Sequence, residues 1–352
     1  MQIQDIKIIH QRLPLKKVFR TALRTATEIP LIEVEITTDK GIRAKGSTSS
    51  AAKVTGETTA SICAAIEDYI FPSIKEMPID NLHDVLHNIN VSIPRNYSAK
   101  AAVDMAIYNL YCQYLQIPLY KYLGVFRTKL STHMTISLGS IEQMCDDAQQ
   151  ALSDHFTSLK IKTGKDFRHD IEAVRQIYKT VGENVRLGID ANQGWKKREA
   201  VTAIRALQDI PSIDFVEQPV AAHDIEGLKW IKNRVDIPIM ADESVFSYSD
   251  AIRIIREDAA DFINIKLLKC GGIFPATKIV HAAESAGIEC MLGCMMEGPL
   301  SISCGAMFAW AHKNITRIDL DSLYSLRDFT LPPYMYYGEG KIELKADHDS
   351  SK

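Results

Sequence analysis

The pattern of apolar and polar positions changes near residue 125, which indicates two parts of different architecture. Before that point, three runs have strand character, Ile6–Ile9, Leu31–Thr37 and Ile42–Gly46, and they predict a small antiparallel sheet. Apolar positions at helical spacing follow and are clearest over Ser98–Leu115. We therefore expect an α+β domain in the first third of the chain.

From Lys129 onward, a short apolar run, a polar turn and an amphipathic helix alternate repeatedly. Representative helices are Asp166–Val181 and Ser249–Arg256, each with branched apolar residues along one face. The apolar runs predicted as strands are Thr132–Ser137, Leu159–Lys162, Leu187–Asn192, Phe215–Gln218, Ile239–Glu243, Phe262–Lys266, Glu289–Leu292 and Ile315–Asp321. Strands in this alternation predict a closed (β/α) barrel, whose active site forms at the C-terminal ends of the strands.

The composition argues against several classes of protein. The 352 residues carry a formal charge of −3, so no basic surface for nucleic acid is expected. The seven cysteines lack paired CxxC spacing, so neither a disulfide framework nor a zinc knuckle is predicted. The N-terminus has no basic region followed by an apolar stretch, and a cytoplasmic location is therefore expected. The apolar segment Cys290–Ala311 contains Glu297 and Pro299, and we interpret it as buried barrel rather than as a membrane span.

A pair of lysines ends the second predicted barrel strand, Leu159-Lys160-Ile161-Lys162. Alternation along a strand sends Lys160 and Lys162 to one face and the two apolar residues to the other. For an isolated pair, an exposed edge strand with solvated lysines is the better explanation. The position at the mouth of a predicted barrel favours a functional pair.

Three carboxylates end the next three predicted strands. Asp190, Glu217 and Asp242 are separated by 27 and 25 residues, the length of one strand–helix unit each. Such convergence is unfavourable without a cation, and a set of oxygen ligands suits Mg²⁺. Helix capping would explain any one of these residues, but it explains three in register poorly.

Lys266 ends the following strand, with Asn264 on the same face, and reaches the mouth from the wall opposite Lys162. Two lysines on opposite sides of a metal-bound carboxylate can serve as base and acid on the two faces of a planar enolate. Mutual repulsion, the metal and burial are expected to lower the pKa values of these lysines. Lys160 is a further candidate, as a group that binds the substrate carboxylate.

The last predicted strand ends in Asp319-Leu320-Asp321, with both carboxylates on one face. A site for a substrate ammonium group is one interpretation. Helix capping or pairing with Arg317 is the other, and the spacing alone does not separate them.

The motifs just described resemble the enolase superfamily, in the muconate-lactonizing subgroup and specifically its dipeptide epimerases. The most specific segments are Asp190-Ala191-Asn192-Gln193-Gly194-Trp195, Val216-Glu217-Gln218-Pro219, Met240-Ala241-Asp242-Glu243-Ser244 and Asn264-Ile265-Lys266-Leu267, together with the paired lysines. The resemblance implies a TIM-like barrel modified to (β/α)7β over residues 126–325. It also implies an α+β capping domain over residues 1–125, completed by the segment 326–352.

The resemblance assigns expected roles to the barrel residues already singled out. It implies that the three carboxylates bind Mg²⁺ and that Lys162 and Lys266 exchange a substrate α-proton through an enediolate. By the same analogy, Lys162 acts on the L face of the substrate carbon and Lys266 on the D face. Asp319 and Asp321 are then expected to hold the α-ammonium group of a dipeptide.

Expected substrate specificity comes from a loop of the capping domain, Phe19-Arg20-Thr21-Ala22-Leu23-Arg24-Thr25, which looks like that of Ala-Glu epimerases. In it, Arg24 is the candidate partner of a glutamate side chain, since a guanidinium suits carboxylate recognition. Thr135 and Met296 fall where further substrate contacts are expected. The implied substrate is a small L-Ala-D/L-Glu dipeptide from cell-wall peptide turnover.

Two segments depart from the family pattern, Ala44-Lys45-Gly46-Ser47 and the pair Gly298-Pro299. Specificity is therefore less well defined than reaction type. The alternatives within enzymes are o-succinylbenzoate synthase and N-acylamino acid racemase, whose substrates lack the free ammonium that Asp319 and Asp321 would bind. A non-catalytic barrel protein is the remote alternative. Homo-oligomers are common in the superfamily, and the oligomeric state is left open.

Overall fold

The computed structural model describes residues 1–22 and 25–345, and an antiparallel sheet comes first along the chain. Its strands are β1 (Ile3–Arg20), β2 (Thr25–Thr38) and β3 (Arg43–Ser49), in that order. The sheet was predicted, but β1 is much longer than the predicted run. Arg20 pairs with Thr25, so strands rather than loop reach the tip of the β1–β2 hairpin. Much of β1 is exposed, which leaves little apolar alternation in its sequence, and pairing with β2 sustains the strand instead.

Helices complete the N-terminal part of the molecule. They are α1 (Ala52–Thr55), α2 (Thr59–Ala65), α3 (Phe71–Ile74), α4 (Leu82–Val91), α5 (Tyr97–Leu115) and α6 (Leu119–Leu123), with a π-helical turn at Ile66–Ile70. The predicted helix is α5, which is buried along most of its length and packs on the sheet. Gly46 of β3 permits this close approach, because an added Cβ atom would lie 1.9 Å from the carbonyl oxygen of Ala102.

The second part is a closed barrel of eight parallel strands in sequential order. The strands are β5 (Met134–Ile136), β6 (Ser158–Lys162), β7 (Arg186–Asp190), β8 (Ile213–Glu217), β9 (Ile239–Ala241), β10 (Phe262–Ile265), β11 (Glu289–Gly293) and β12 (Ile315–Asp319). The helices are α7 (Ile141–Ser153), α8 (Phe167–Val181), α9 (Lys197–Arg205), α10 (Ile225–Lys232), α11 (Tyr248–Glu257), α12 (Leu267–Cys270), α13 (Ile273–Ser285) and α14 (Pro299–Ala311). Closure comes from Thr132, which bridges to Ile318, and from the His133 amide, which donates to the Ile318 carbonyl at 2.9 Å. The predicted fold class is confirmed.

Two layers of side chains fill the barrel region. Phe215, Met240 and Met291 form a small apolar cluster separate from the main core. Outward-facing residues such as Leu159 and Ile161 belong to the main core, which includes the surrounding helices. The polar ends of the strands are thereby confined to the barrel mouth. None of the helices among the described residues is both long and apolar enough to span a lipid bilayer.

The last strands of the described residues form a second antiparallel sheet. After a 3₁₀ turn at Ser322–Ser325, β13 (Met335–Gly338) pairs with β14 (Lys341–Leu344), and β14 pairs with β4 (Lys129–Ser131). β13 and β14 therefore form a sheet with β4, the strand that leads into the barrel, and they do not join the β1–β3 sheet. The predicted domain limits, residues 1–125 with 326–352 and residues 126–325, stay a prediction.

Candidate active site

A cavity of about 680 Å³ lies between the barrel mouth and the N-terminal strand β1. Residues 16–21 cover one side of it, and the ends of barrel strands form the rest. The two parts are joined at its rim, where the Leu138 amide donates to the Arg20 carbonyl at 3.1 Å. The Ser49 hydroxyl likewise donates to the Met296 carbonyl at 2.6 Å. The predicted site residues that line the cavity are Thr135, Lys162, Asp242, Lys266, Met296, Asp319 and Asp321.

The strand order places two lysines and two carboxylates on four walls of the barrel mouth. Lys162 ends β6 and Lys266 follows β10, which is four strands away in a closed barrel of eight and therefore opposite. Glu217 ends β8 and Asp319 ends β12, which are likewise opposite each other. Two lysines thus face each other across one axis, and carboxylates lie at both ends of the other.

The two lysines of β6 contact carboxylates that lie on both sides of this strand. Lys160 Nζ lies 2.7 Å from Glu217 Oε2, 2.8 Å from Asp319 Oδ2 and 3.2 Å from Asp190 Oδ2. Lys162 Nζ lies 2.6 Å from the same oxygen of Asp190. Lys160, Asp190 and Glu217 are fully buried and do not line the cavity. Contact between Lys160 and a substrate carboxylate stays a prediction.

The β10 wall contacts the remaining predicted metal ligand. Lys266 Nζ donates to Asp242 Oδ2 at 2.7 Å, and Asn264 Nδ2 donates to Glu217 Oε1 at 2.8 Å. Gly293 of the neighbouring strand makes room for these groups, because an added Cβ atom would lie 2.7 Å from Asn264 Oδ1 and 3.0 Å from Lys266 Cε. A side chain at this position would displace the lysine.

The two aspartates after β12 face the cavity without capping a helix through their side chains. Asp321 Oδ2 accepts a hydrogen bond from the Thr135 amide at 2.7 Å, and Asp319 pairs with Lys160. Asp321 precedes the 3₁₀ turn, but its side chain makes no capping hydrogen bond there. Arg317 pairs instead with Asp214 at 2.8 Å and with Glu289 at 2.7 Å. Neither of the two structural interpretations of this pair therefore accounts for it.

The pKa values of the lysines differ from the expectation. Burial lowers the pKa of Lys266, but the charges of Asp242, Glu217 and Glu243 together outweigh burial and raise the pKa above its ordinary value. Burial also opposes the charged form of Lys160, yet Asp319, Glu217 and Asp190 together raise its pKa well above the ordinary value. The lowering expected for Lys266 is not found, because the surrounding carboxylates together outweigh desolvation.

The carboxylates of the site divide into two groups. Burial, with Asp190 nearby, raises the pKa of Glu217 to about 8, and burial beside Asp242 raises that of Glu243 to about 7. Burial and the charge of Asp319 raise the pKa of Asp321 to about 6. Burial opposes ionisation of Asp190 too, but Lys162 and Lys160 lower its pKa below the ordinary value. Burial and neighbouring carboxylates therefore outweigh the nearby lysines at Glu217, Glu243 and Asp321, and they disfavour the ionised forms of these groups.

The donor chemistry fits a hard divalent cation. Six carboxyl groups meet four lysines here, so the carboxyl groups outnumber the lysines by two: Asp190, Glu217, Asp242, Glu243, Asp319 and Asp321 against Lys160, Lys162, Lys266 and Lys269. Asn192 Oδ1, Glu243 Oε2 and Asn264 Oδ1 are buried oxygen atoms without a hydrogen-bond donor among the described residues. No group of three His, Cys, Asp or Glu side chains is arranged as a preformed metal site in the described ranges, where lysine ammonium groups lie against the carboxylates instead.

Sequence reasoning missed three buried polar residues of the site. Glu243 accepts from Asn192 Nδ2 at 3.1 Å, and Glu297 accepts from the Met295 amide at 2.8 Å, which shapes the loop after β11. Lys269 Nζ lies 2.5 Å from Asp242 Oδ1. A second lysine three residues after Lys266 was the available signal for Lys269, had a helical turn been expected there. Arg24 lies outside the described residues.

Comparison with known proteins gives the family. Residues 3–124 match the N-terminal domain of mandelate racemase and muconate lactonizing enzyme, and residues 143–347 match the enolase C-terminal domain-like family. The chain therefore belongs to the mandelate racemase and muconate lactonizing enzyme family of the enolase superfamily, and the resemblance stated from the motifs is confirmed.

Within this family, the similar proteins include epimerases of dipeptides. The L-Ala-D/L-Glu epimerase of Clostridium acetobutylicum is 48% identical over 322 residues, which cover 91% of this chain and 90% of the relative. The substrate-liganded structure of the L-Ala-D/L-Glu epimerase from Bacillus subtilis has a TM-score of 0.95 at 41% identity, covering 98% of this chain and 96% of that one. The Enterococcus faecalis dipeptide epimerase, complexed with Mg and L-Leu-L-Tyr, has a TM-score of 0.90 at 38% identity, covering 98% and 97%.

Proposed function

We propose that this protein is a Mg²⁺-dependent dipeptide epimerase that interconverts the L-Glu and D-Glu forms of L-Ala-Glu. The observation that carries the proposal is the arrangement of the four walls, with Lys162 opposite Lys266 and Glu217 opposite Asp319. A carbon held at the centre has one lysine on each face. Similarity to the L-Ala-D/L-Glu epimerases supports the choice of dipeptide.

The chemistry is a proton exchange at the α-carbon of the second residue. One lysine, in its neutral form, takes the α-proton, and the electron pair of the broken C–H bond moves into the carboxylate to give an enediolate. The other lysine, in its ammonium form, returns a proton to the opposite face, which inverts the carbon. Mg²⁺ bound by Asp190, Glu217 and Asp242 would supply positive charge that stabilises this intermediate and offsets the carboxylate charge beside the lysines.

Binding of a free dipeptide is supported by the carboxylates on the β12 wall. Asp319 and Asp321 line the cavity, and Asp321 is oriented by the Thr135 amide at 2.7 Å. Two carboxylates suit an α-ammonium group, which neither an N-acylamino acid nor the substrate of o-succinylbenzoate synthase has. This favours dipeptide epimerisation over both alternatives. A non-catalytic role is disfavoured because both lysines and all three predicted metal ligands are in place.

The preference for glutamate rests on the sequence prediction for Arg24. The cavity wall formed by residues 16–21 ends three positions before Arg24 in the sequence, which supports a role for this segment in specificity. Met296, on the loop after β11, lines the same cavity. The source of the dipeptide in cell-wall turnover and the cytoplasmic location stay predictions.

Proton NMR in D₂O tests the proposal directly. L-Ala-L-Glu is incubated with enzyme and Mg²⁺, and the glutamate α-proton signal is followed together with the signals of the diastereomer. We expect loss of the α-proton and growth of L-Ala-D-Glu at matched rates. Exchange only on cationic or hydrophobic dipeptides would retain the mechanism and refute the role of Arg24. Absence of exchange on every dipeptide, with turnover of N-succinylamino acids, would overturn the dipeptide assignment.

A further inference from the structure

Lys269 does not line the cavity, yet its ammonium group contacts a carboxylate that does. It lies on α12, and its side chain is 1% exposed. Its Nζ atom lies 2.5 Å from Asp242 Oδ1 and 2.9 Å from the Asn264 carbonyl oxygen, and it also donates to the carbonyl oxygen of Asp242. An ammonium group has three protons, and here each has an acceptor, so the group is fixed in position.

Lys269 and Lys266 divide the two oxygen atoms of Asp242 between them. Oδ1 accepts from Lys269, and Oδ2 accepts from Lys266 at 2.7 Å. With Oδ1 held on the side away from the cavity, the carboxylate cannot rotate to present both oxygen atoms to Lys266. Oδ2 is therefore the oxygen left for the cavity side.

The same lysine is linked to a second carboxylate through Asn264. The backbone carbonyl of Asn264 accepts from Lys269, while its side-chain amide donates to Glu217 Oε1 at 2.8 Å. The end of β10 thus orients two of the three predicted metal ligands at once. Lys269 joins the backbone of this strand end to Asp242 Oδ1, while Lys266 contacts Oδ2.

Stability alone is a weak reason for such a residue. Burying an ammonium group costs several kcal/mol of desolvation, and apolar replacements of buried ion pairs are often neutral or stabilising. We propose that Lys269 is a positioning residue, which holds Asp242 Oδ1 so that Oδ2 faces the Mg²⁺ site and Lys266 in a fixed orientation. Its effect on the metal is independent of the proposed function, whereas its effect on proton exchange rests on that function.

Calorimetric titration of the metal-free protein with Mg²⁺ tests the proposal without any substrate. For Lys269→Met we expect the Mg²⁺ dissociation constant to rise about 10–100-fold, as for other groups that orient metal ligands. Lys269→Arg retains a cation and should lose less. Lys100→Met is the matched control, because Lys100 is only 3% exposed and its Nζ donates to the Asn90 carbonyl at 2.6 Å and not to a predicted metal ligand.

The ratio of the deuterium exchange rates of the two epimers is a second measurement, because a general loss of stability would slow both rates equally. Asp242 contacts Lys266, whereas Lys162 contacts Asp190. Lys269→Met should therefore slow exchange of L-Ala-D-Glu, assigned to Lys266, more than exchange of L-Ala-L-Glu.

Unchanged Mg²⁺ affinity in Lys269→Met, or an equal loss in Lys100→Met, would overturn the positioning role. If Lys269→Met does not fold, Lys269→Arg is tested in its place. Wild-type Mg²⁺ affinity together with equal exchange from both epimers in Lys269→Arg would overturn the positioning role. A wild-type protein that exchanges no dipeptide proton would refute the proposed function, and the Mg²⁺ titration would still decide the role of Lys269.

Discussion

The two sides of the barrel that carry lysines place them in different ways. The β6 pair, Lys160 and Lys162, lies two residues apart on a strand, and both side chains enter the barrel. The β10 pair, Lys266 and Lys269, lies three residues apart across the change from strand to helix. In each pair, one lysine lines the cavity and the other is buried beneath it. We call Lys162 and Lys266 the outer lysines, and Lys160 and Lys269 the inner lysines.

The inner lysines differ in what they contact. Lys160 is surrounded by three carboxylates from three other strands, whereas Lys269 has one carboxylate and two carbonyl oxygens. Lys160 therefore neutralises charge at the centre of the barrel, and Lys269 orients a single ligand. Lys162 and Lys266 are proposed to carry the same chemistry, and their inner partners would support it in different ways.

The largest expected effect comes from removing either outer lysine. Lys162→Ala and Lys266→Ala should each reduce epimerisation by about 10²–10⁴-fold, the usual contribution of a general acid or base. Each variant should still exchange the α-proton on the face that its remaining lysine serves. Deuterium incorporation from each epimer, followed by NMR, measures this.

Mg²⁺ binding is the control for these two variants and should persist, because neither lysine is a predicted ligand. Full epimerisation by either variant would contradict the two-base mechanism. Loss of exchange from both epimers in one variant only would show that the two walls are not equivalent in chemistry.

The two pairs also show what sequence can reveal. Alternation along a strand identifies Lys160 and Lys162 as neighbours on one face, because that period needs no knowledge of the rest of the chain. Lys269 was missed because its side chain meets Asp242 only once α12 begins at Leu267. The helical turn there has four residues, too short for a periodic signal.

The long-range ion pairs lie beyond sequence reasoning for a related reason. The eight strands were predicted from local patterns, but the raised pKa of Lys266 depends on a distance of 2.7 Å to a residue on another strand. The extent of β1 was missed because hydrogen bonds to β2, and not burial, sustain it. Local patterns identified which residues converge, and only coordinates give the contacts that set their charges.

Replacing the inner lysine of the β6 pair should affect stability most. Lys160→Met would leave Glu217 and Asp319 without their short ion pair, and breaking a buried pair costs about 3–5 kcal/mol. We expect this loss in the unfolding free energy of the metal-free protein, measured by urea denaturation at pH 7. Lys269→Met should lose less, because it separates one carboxylate from its cation. Equal losses in both variants would remove the distinction between a charge-neutralising and an orienting lysine.

The smallest effects are expected from buried aspartates behind each wall. Asp104 accepts from the Ile273 amide at 2.6 Å behind β10, and burial raises its pKa from 3.8 to about 8. Asp170 accepts from Gly164 and Trp195 behind β6, and burial raises its pKa while these donors oppose the rise. In both cases the folded state binds more protons than the unfolded state, so stability falls as pH rises above about 4.

Urea denaturation between pH 5 and 8 compares the two sides. Asp104→Asn removes a titrating group and keeps an acceptor for the Ile273 amide, so the decline in stability should flatten by at most about 1.4 kcal/mol per pH unit. The ionisable groups whose charges couple to Asp104 include Tyr108, Cys270 and Cys304, all uncharged over most of this range. Asp170→Asn should flatten the curve less, because the charge of His169 adds to its two hydrogen-bond donors in favouring the charged form, whereas Asp104 has only two amide donors. If the unfolding free energies of wild type and Asp104→Asn fall equally with pH, Asp104 is ionised throughout this range. The β10 side would then be no more sensitive to pH than the β6 side.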